Sequence, residues 1–140
     1  MPSVSFASEQ TEYSISNQPE TTSWFISVCK SEQKNLSELT YIFCSDDYLL
    51  ELNQKHLCHD YYTDVITFDY SDEKTVSGDV FISIDRVIDN AASVGVPVRE
   101  ELDRIMIHGL LHLLGYKDKS AEEKERMTHK EDFYLSSRVH

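Results

Sequence analysis

Apolar residues recur along this chain with two spacings, every second residue or every third to fourth, and the switch between them marks out strands and helices in turn. Val4 and Phe6 alternate with serines, which predicts a half-buried strand at about Val4 to Ala7, followed by a polar loop through Pro19. Trp24, Phe25, Val28 and Cys29 then repeat at helical spacing. They predict a helix from about Thr22 to Gln33 that packs on a sheet. Leu39 to Cys44 reads as a short strand rich in aromatic and branched residues. Ser45 suits the N-cap of a helix from Asp46 to about Leu57, with Tyr48, Leu49, Leu52 and His56 along it. Asp64 to Tyr70 and Gly78 to Ile84 read as two strands joined by a short polar loop, and therefore antiparallel. Asp85 is expected to cap a helix through about Val94, with Arg86 and Asp89 on its exposed face, and Gly95 and Pro97 break it. Ser120-Ala121-Glu122-Glu123 is a capping box that opens a charged helix to about Leu135, its charge read as a solvated face.

The stretch between those last two helices, Arg99 to Asp118, has a different pattern. On a wheel of about 100° per residue, Glu101, Arg104, His108 and His112 form one narrow stripe, while Leu102, Ile105, Met106, Ile107, Leu110, Leu111, Leu113 and Leu114 cover most of the rest. Such a helix is buried and carries one polar seam. Gly115 readily takes the left-handed conformation that ends a helix, so the chain is expected to turn back there and bring Asp118 within reach of the two histidines. Strand, helix, strand, helix, strand and hairpin then give an α+β fold: a mixed, roughly four-stranded sheet, parallel across the helical crossovers, with a buried helix and flanking helices. The 140 residues read as one domain, 1–140.

Chemistry enters through the seam. Two imidazoles at i and i+4 project from one helix face, and a carboxylate from the following turn completes three protein ligands with positions left open. His108, His112 and Asp118 are therefore the expected metal ligands. Glu101 and Arg104 share the stripe, either as partners that orient a ligand or as a structural ion pair. Gly109 occupies the place where an H-E-x-x-H zinc peptidase carries its glutamate base, and close packing of a neighbouring element against its bare backbone would explain it. His56 and His59 are read as surface or loop residues, and His129 and His140 as non-ligands.

The net charge of −12 opposes binding to phosphate backbones over most of the surface. A bound divalent ion with local Lys and Arg can still dominate within a cleft, because distant charges are screened beyond about 8 to 10 Å. Cys29, Cys44 and Cys58 lie far apart and read as buried, reduced thiols. MPSVSFASEQ lacks the pattern of a targeting segment, and no apolar run approaches the roughly 20 residues of a membrane span, so a cytoplasmic protein without a membrane partner is expected.

The run His108-Gly109-Leu110-Leu111-His112-Leu113-Leu114-Gly115-Tyr116-Lys117-Asp118 resembles the signature H-G-x-L-H-L-x-G-Y-D-H of the YbeY family of bacterial metal-dependent endoribonucleases, matching all but its last two positions. Asp118 stands where that family usually has a third histidine. A second block, Leu52 to Tyr70, resembles the family at Leu52, Asn53, Asp60, Thr63, Asp64, Val65 and Phe68, and the GD at Gly78 and Asp79 matches as well. His56, Leu57, Tyr62 and Asp69 depart from it, Leu57 replacing an arginine that faces phosphate in the family. Thr63 and Asp64 are read as fixing the loop before a strand. The resemblance implies cleavage of single-stranded ribosomal RNA, not DNA, in ribosomal RNA maturation and ribosome quality control. It also implies Zn2+ or a similar divalent ion held by His108, His112 and Asp118, with ribosomal subunits and a ribosome-assembly GTPase as partners. Alternative readings are a non-catalytic, metal-stabilised ribosome-binding factor and another zinc hydrolase such as a peptidase; an iron(II) oxygenase uses a similar ligand set.

Overall fold

The computed structural model describes residues 2–57 and 63–138, with side chains omitted at 56 and 57. The expectations for the His56 and Leu57 side chains and for Cys58, His59, Asp60, Tyr62 and His140 lie outside the described residues. The elements run β1 (Ser3–Glu9), α1 (Gln18–Ser31), β2 (Asn35–Cys44), α2 (Asp46–Leu57), β3 (Val65–Asp69), β4 (Thr75–Ser83), α3 (Ile84–Val94), α4 (Val98–Leu113) and α5 (Ala121–Leu135). The sheet order is β1-β2-β4-β3. β1 and β4 both run parallel to β2, and β3 pairs antiparallel with β4. This is the mixed four-stranded α+β arrangement expected, except at the second crossover: β3 runs opposite to β2 across α2, and β4 is the strand that returns parallel beside β2.

Several boundaries differ from the sequence reading, each for a local reason. α1 starts at Gln18 because Pro19 sits in its first turn, where a missing N–H costs nothing. β2 starts at Asn35 because an irregularity between Leu36 and Leu39 lets the strand pair on both sides of a kink. Asp85 does not cap α3. Ser83 does, its Oγ accepting from Arg86 N at 3.2 Å, while the Asp85 carboxylate turns to the neighbouring helix and accepts from Asp46 N at 2.8 Å. The first amide of α2 is an unsatisfied donor at the positive end of a helix dipole, so a carboxylate there is favourable. Ser45 caps α2 through Tyr48 N as expected, and the capping box of α5 forms with both bonds in place. Arg86 is only half-buried on α3 and pairs with Asp46 and Asp89.

α4 forms the centre of the packing. Leu102, Ile105, Met106, Ile107, Leu110, Leu111 and Leu113 are buried, packed with Tyr41, Phe43, Val80 and Ile82 of the sheet. The Tyr41 hydroxyl donates to the Met106 carbonyl at 2.8 Å, a buried bond from β2 to the middle of the helix. Gly109 and Gly78 let this helix approach the sheet closely. A Cβ on Gly109 would meet a Val80 methyl at 2.7 Å, and one on Gly78 would meet a Leu113 methyl of the helix at 2.9 Å as well as the Phe68 carbonyl oxygen of the neighbouring strand at 2.5 Å. Close packing therefore accounts for the helical glycine. No described helix is long and apolar enough to cross a membrane. Cys29 and Cys44 are buried free thiols, and burial pushes both up to about 12.

Candidate metal centre

The polar seam of α4 surfaces where the helix ends. His108 and His112, one turn apart, are partly buried, their side chains 22% and 26% exposed. Past Leu113 the helix closes in a Schellman arrangement: Gly115 N donates to the His112 carbonyl at 3.0 Å, Tyr116 N to the Leu111 carbonyl at 3.0 Å, and Gly115 takes φ 105°. That turn folds the following loop back over the seam. Asp118 Oδ2 comes to lie 3.3 Å from Nε2 of each histidine, and the two Nε2 atoms are 3.1 Å apart.

The other ring nitrogens show what those Nε2 atoms can do. His108 Nδ1 lies 2.6 Å from Glu131 Oε2, and His112 Nδ1 lies 3.1 Å from the Tyr116 carbonyl oxygen. A carboxylate and a carbonyl only accept, so each Nδ1 carries the proton. A neutral ring then has its lone pair on Nε2, and two such lone pairs face one another with a carboxylate oxygen beside them. Acceptors that close together are reconciled by positive charge between them, either a proton on one imidazole or a metal ion. Bond lengths of about 2.0–2.1 Å to a tetrahedral zinc ion separate its ligand atoms by roughly 3.3–3.4 Å, close to the 3.1–3.3 Å found here. Among the described residues, His108, His112 and Asp118 are the group able to hold a metal ion, and two nitrogens with one carboxylate oxygen suit a divalent ion of intermediate hardness.

Glu131 was hidden in the sequence by the reading of α5 as a solvated charged face. That reading fails here: Glu131 is buried at 7% exposure, between Met127 and Tyr134 on the inner stripe of α5. Its Oε1 accepts from Arg104 Nη1 at 2.8 Å while its Oε2 takes His108. Arg104 also donates to Asp132 at 2.6 Å. Arg104 thus pairs with Glu131 and Asp132 of α5 instead of with Glu101, and through Glu131 it supports His108 indirectly. Burial alone would push the His108 imidazole down, but the Glu131 bond and charge, with Asp118 and Asp64, overcome it and raise the ring above its ordinary value. The field at this site favours positive charge.

Glu101 is half-buried on the same stripe, and burial pushes its carboxyl up, aided by Asp64 and Glu131 and opposed by Arg104. Asp64 is half-buried; its backbone carbonyl accepts from Ser83 N at 3.0 Å, tying the loop to β4 as expected, while its charge reaches Glu101 and His108. Lys117 and Lys119 are exposed on either side of Asp118, and His129 is exposed on α5.

Fold and site together define a class: an α+β protein whose central buried helix presents two histidines to a loop carboxylate, three ligand atoms able to hold a metal ion. A family model described as Endoribonuclease YbeY matches residues 4–138. A protein of Cytophaga hutchinsonii named Endoribonuclease YbeY is 52% identical over 136 residues, covering 96% of this chain and 95% of its own. The protein of that name from Flavobacterium johnsoniae is 48% identical, covering 88% of each chain. A solution structure of a Thermotoga maritima protein superposes with TM-score 0.68 at 25% identity, covering 96% of this chain and 87% of the other. The chain belongs to the endoribonuclease YbeY family, and it is an enzyme of that hydrolytic, metal-dependent kind.

Proposed function

We propose that His108, His112 and Asp118 hold the catalytic divalent ion, with zinc the ion that best suits the donor set, and that the enzyme cleaves single-stranded RNA there. The observation that carries this reading is the convergence of two histidine Nε2 atoms and a carboxylate oxygen, with both opposite ring nitrogens facing acceptors. When bound, such an ion polarises a phosphoryl oxygen and lowers the pKa of water at its open position. Glu131 holds His108 in the correct tautomer, the Tyr116 carbonyl does the same for His112, and Asp118 supplies the third donor. Lys117 and Lys119, flanking Asp118, offer the local positive charge that an RNA backbone needs against a net charge of −12. Domain limits of 1–140 fit this reading, since the described elements form one sheet with its packed helices.

The peptidase alternative loses ground on packing. A glutamate in place of Gly109 would start from a Cβ 2.7 Å from Val80, so that position serves the helix–sheet contact instead of a general base. Ribosomal RNA as substrate, a role in its maturation and in ribosome quality control, ribosomal subunits and an assembly GTPase as partners, and a cytoplasmic location extend the same reading through the family resemblance.

The test is cleavage of end-labelled single-stranded RNA by zinc-loaded protein beside chelated protein and a folded His108→Ala, His112→Ala double variant. Cleavage confined to the loaded, unaltered protein is expected. Equal cleavage in all three would trace the activity to a contaminant and remove the metal-centre reading.

A further inference from the structure

Tyr116 stands at the joint of the loop that leads to Asp118. Three of its polar groups are engaged: its amide donates to the Leu111 carbonyl at 3.0 Å, its carbonyl accepts from His112 Nδ1 at 3.1 Å, and its hydroxyl donates to Glu32 Oε1 at 2.7 Å. Glu32 is the C-cap residue of α1, 84 residues away in sequence. Its Oε2 accepts from Lys130 Nζ at 3.3 Å and from the Tyr134 hydroxyl, both on α5. The Lys130 ammonium lies 5.8 Å from the ring centres of both Tyr116 and Tyr134. Trp24 Nε1 donates to the Tyr134 carbonyl at 3.0 Å and ties the cluster back to α1.

A carboxylate side chain only 14% exposed carries a desolvation cost that a surface ion pair avoids, and two phenols and an ammonium converge to meet it. The bonds of this cluster reach α1, α5 and the one loop that carries a metal ligand. With its amide and its phenol both fixed, Tyr116 is held at two points, and the peptide unit whose carbonyl meets His112 has little freedom left to turn.

We propose that Glu32 is a positioning residue for the metal centre, acting through Tyr116: the phenol bond to Glu32 fixes the residue whose carbonyl orients His112 and from which the chain runs on to Asp118. The inference rests on the metal-centre reading and extends it to a residue outside the ligand set. Lys130 and Glu131 are adjacent on α5, so the same helical turn supports His112 by way of Glu32 and His108 directly.

The experiment uses the full chain with cobalt(II) as probe, its affinity measured by competition with a chelator and its coordination read from the visible absorption spectrum. Glu32→Gln and Tyr116→Phe are each expected to weaken cobalt binding about tenfold, the lower end of what losing a ligand's outer partner costs, and to change the spectrum. The double variant is expected to be no weaker than Tyr116→Phe alone, because Gln keeps an acceptor for the phenol and loses only the charge, whereas Phe already removes the hydroxyl through which Glu32 acts. Tyr116→Phe keeps the ring and its packing, so it reports even if Glu32→Gln folds poorly. A folded Tyr116→Phe with unaltered affinity and spectrum, changed only in its melting temperature, would make the cluster purely structural and overturn the proposal. Cobalt binding by the unaltered protein no tighter than by the His108→Ala, His112→Ala variant would instead remove the metal-centre reading, and this inference with it.

Discussion

The two halves of the proposed metal centre are held by different physics. The helical half, His108 and His112, stands on α4, whose Leu102, Met106, Ile107, Leu110 and Leu111 have no exposed surface. The loop half, Asp118, is 38% exposed and follows a turn fixed by hydrogen bonds to α1 and α4. Rigidity on the first side comes from apolar packing, which is strong and indifferent to pH. On the second it comes from a few polar contacts, each small and each dependent on charge. Mutations should therefore separate the two: core changes under the helix should move stability more than metal affinity, and changes to the polar supports should do the reverse.

The largest effect is expected from Leu110→Ala. Leu110 has no exposed surface, and deleting its side chain leaves a cavity in the cluster beneath the seam, so unfolding in urea should report a loss of about 2–5 kcal/mol. Metal affinity of the folded fraction should change little, because the ligand atoms and their hydrogen-bond partners are untouched. A parallel fall in affinity would mean that the helix transmits core strain to the histidines, and the distinction between the halves would collapse.

Glu131→Gln should show the opposite balance. The amide fills the same volume but lacks the charge that faces both Arg104 and His108. Outer partners of ligating histidines are worth about 10–100-fold in metal affinity, and a loss in that range is expected by chelator competition. The metal-free variant should lose less stability than Leu110→Ala. Affinity within a factor of two of the unaltered protein would show that His108 keeps its orientation without a charged partner.

The same division explains what could be read from the sequence. The helical half is local: His108, His112, the apolar faces around them and the Gly115 stop all lie within one short run, and periodicity alone places them. The four strands and the antiparallel β3–β4 hairpin were equally accessible from period and turn residues, but their order in the sheet, with β4 inserted between β2 and β3, was not. Glu131 and Glu32 escaped, since their partners lie 23 and 84 residues away, and no periodic pattern encodes a contact across elements. One signal was present for Glu131: Met127, Glu131 and Tyr134 repeat at helical spacing on α5, so a carboxylate sat in the line of its buried positions. Asp85 shows a related limit, because a good N-cap residue was claimed by the terminus of a different helix.

The smallest effect tests the polar support by titration. Burial pushes the Glu32 carboxyl up, but the Tyr134 and Tyr116 hydroxyls and the Lys130 ammonium outweigh it and hold the group below its ordinary value of 4.5. The Cys29 thiol also faces this carboxylate and stays protonated, its own value raised to about 12 by burial first and by Glu32 second. A carboxyl depressed in the folded state adds stability above its unfolded value, and that contribution disappears as the pH falls through the folded value. The gap in urea midpoint between the metal-free unaltered protein and Glu32→Gln should therefore be widest at neutral pH and begin to narrow once the pH drops below about 4.5. Leu110→Ala, measured alongside, should keep a constant gap over the same range, because its lost contacts carry no charge. If the Glu32→Gln gap also stayed constant, Glu32 would be acting through shape alone, and the loop half of the site would be held in the same way as the helical half.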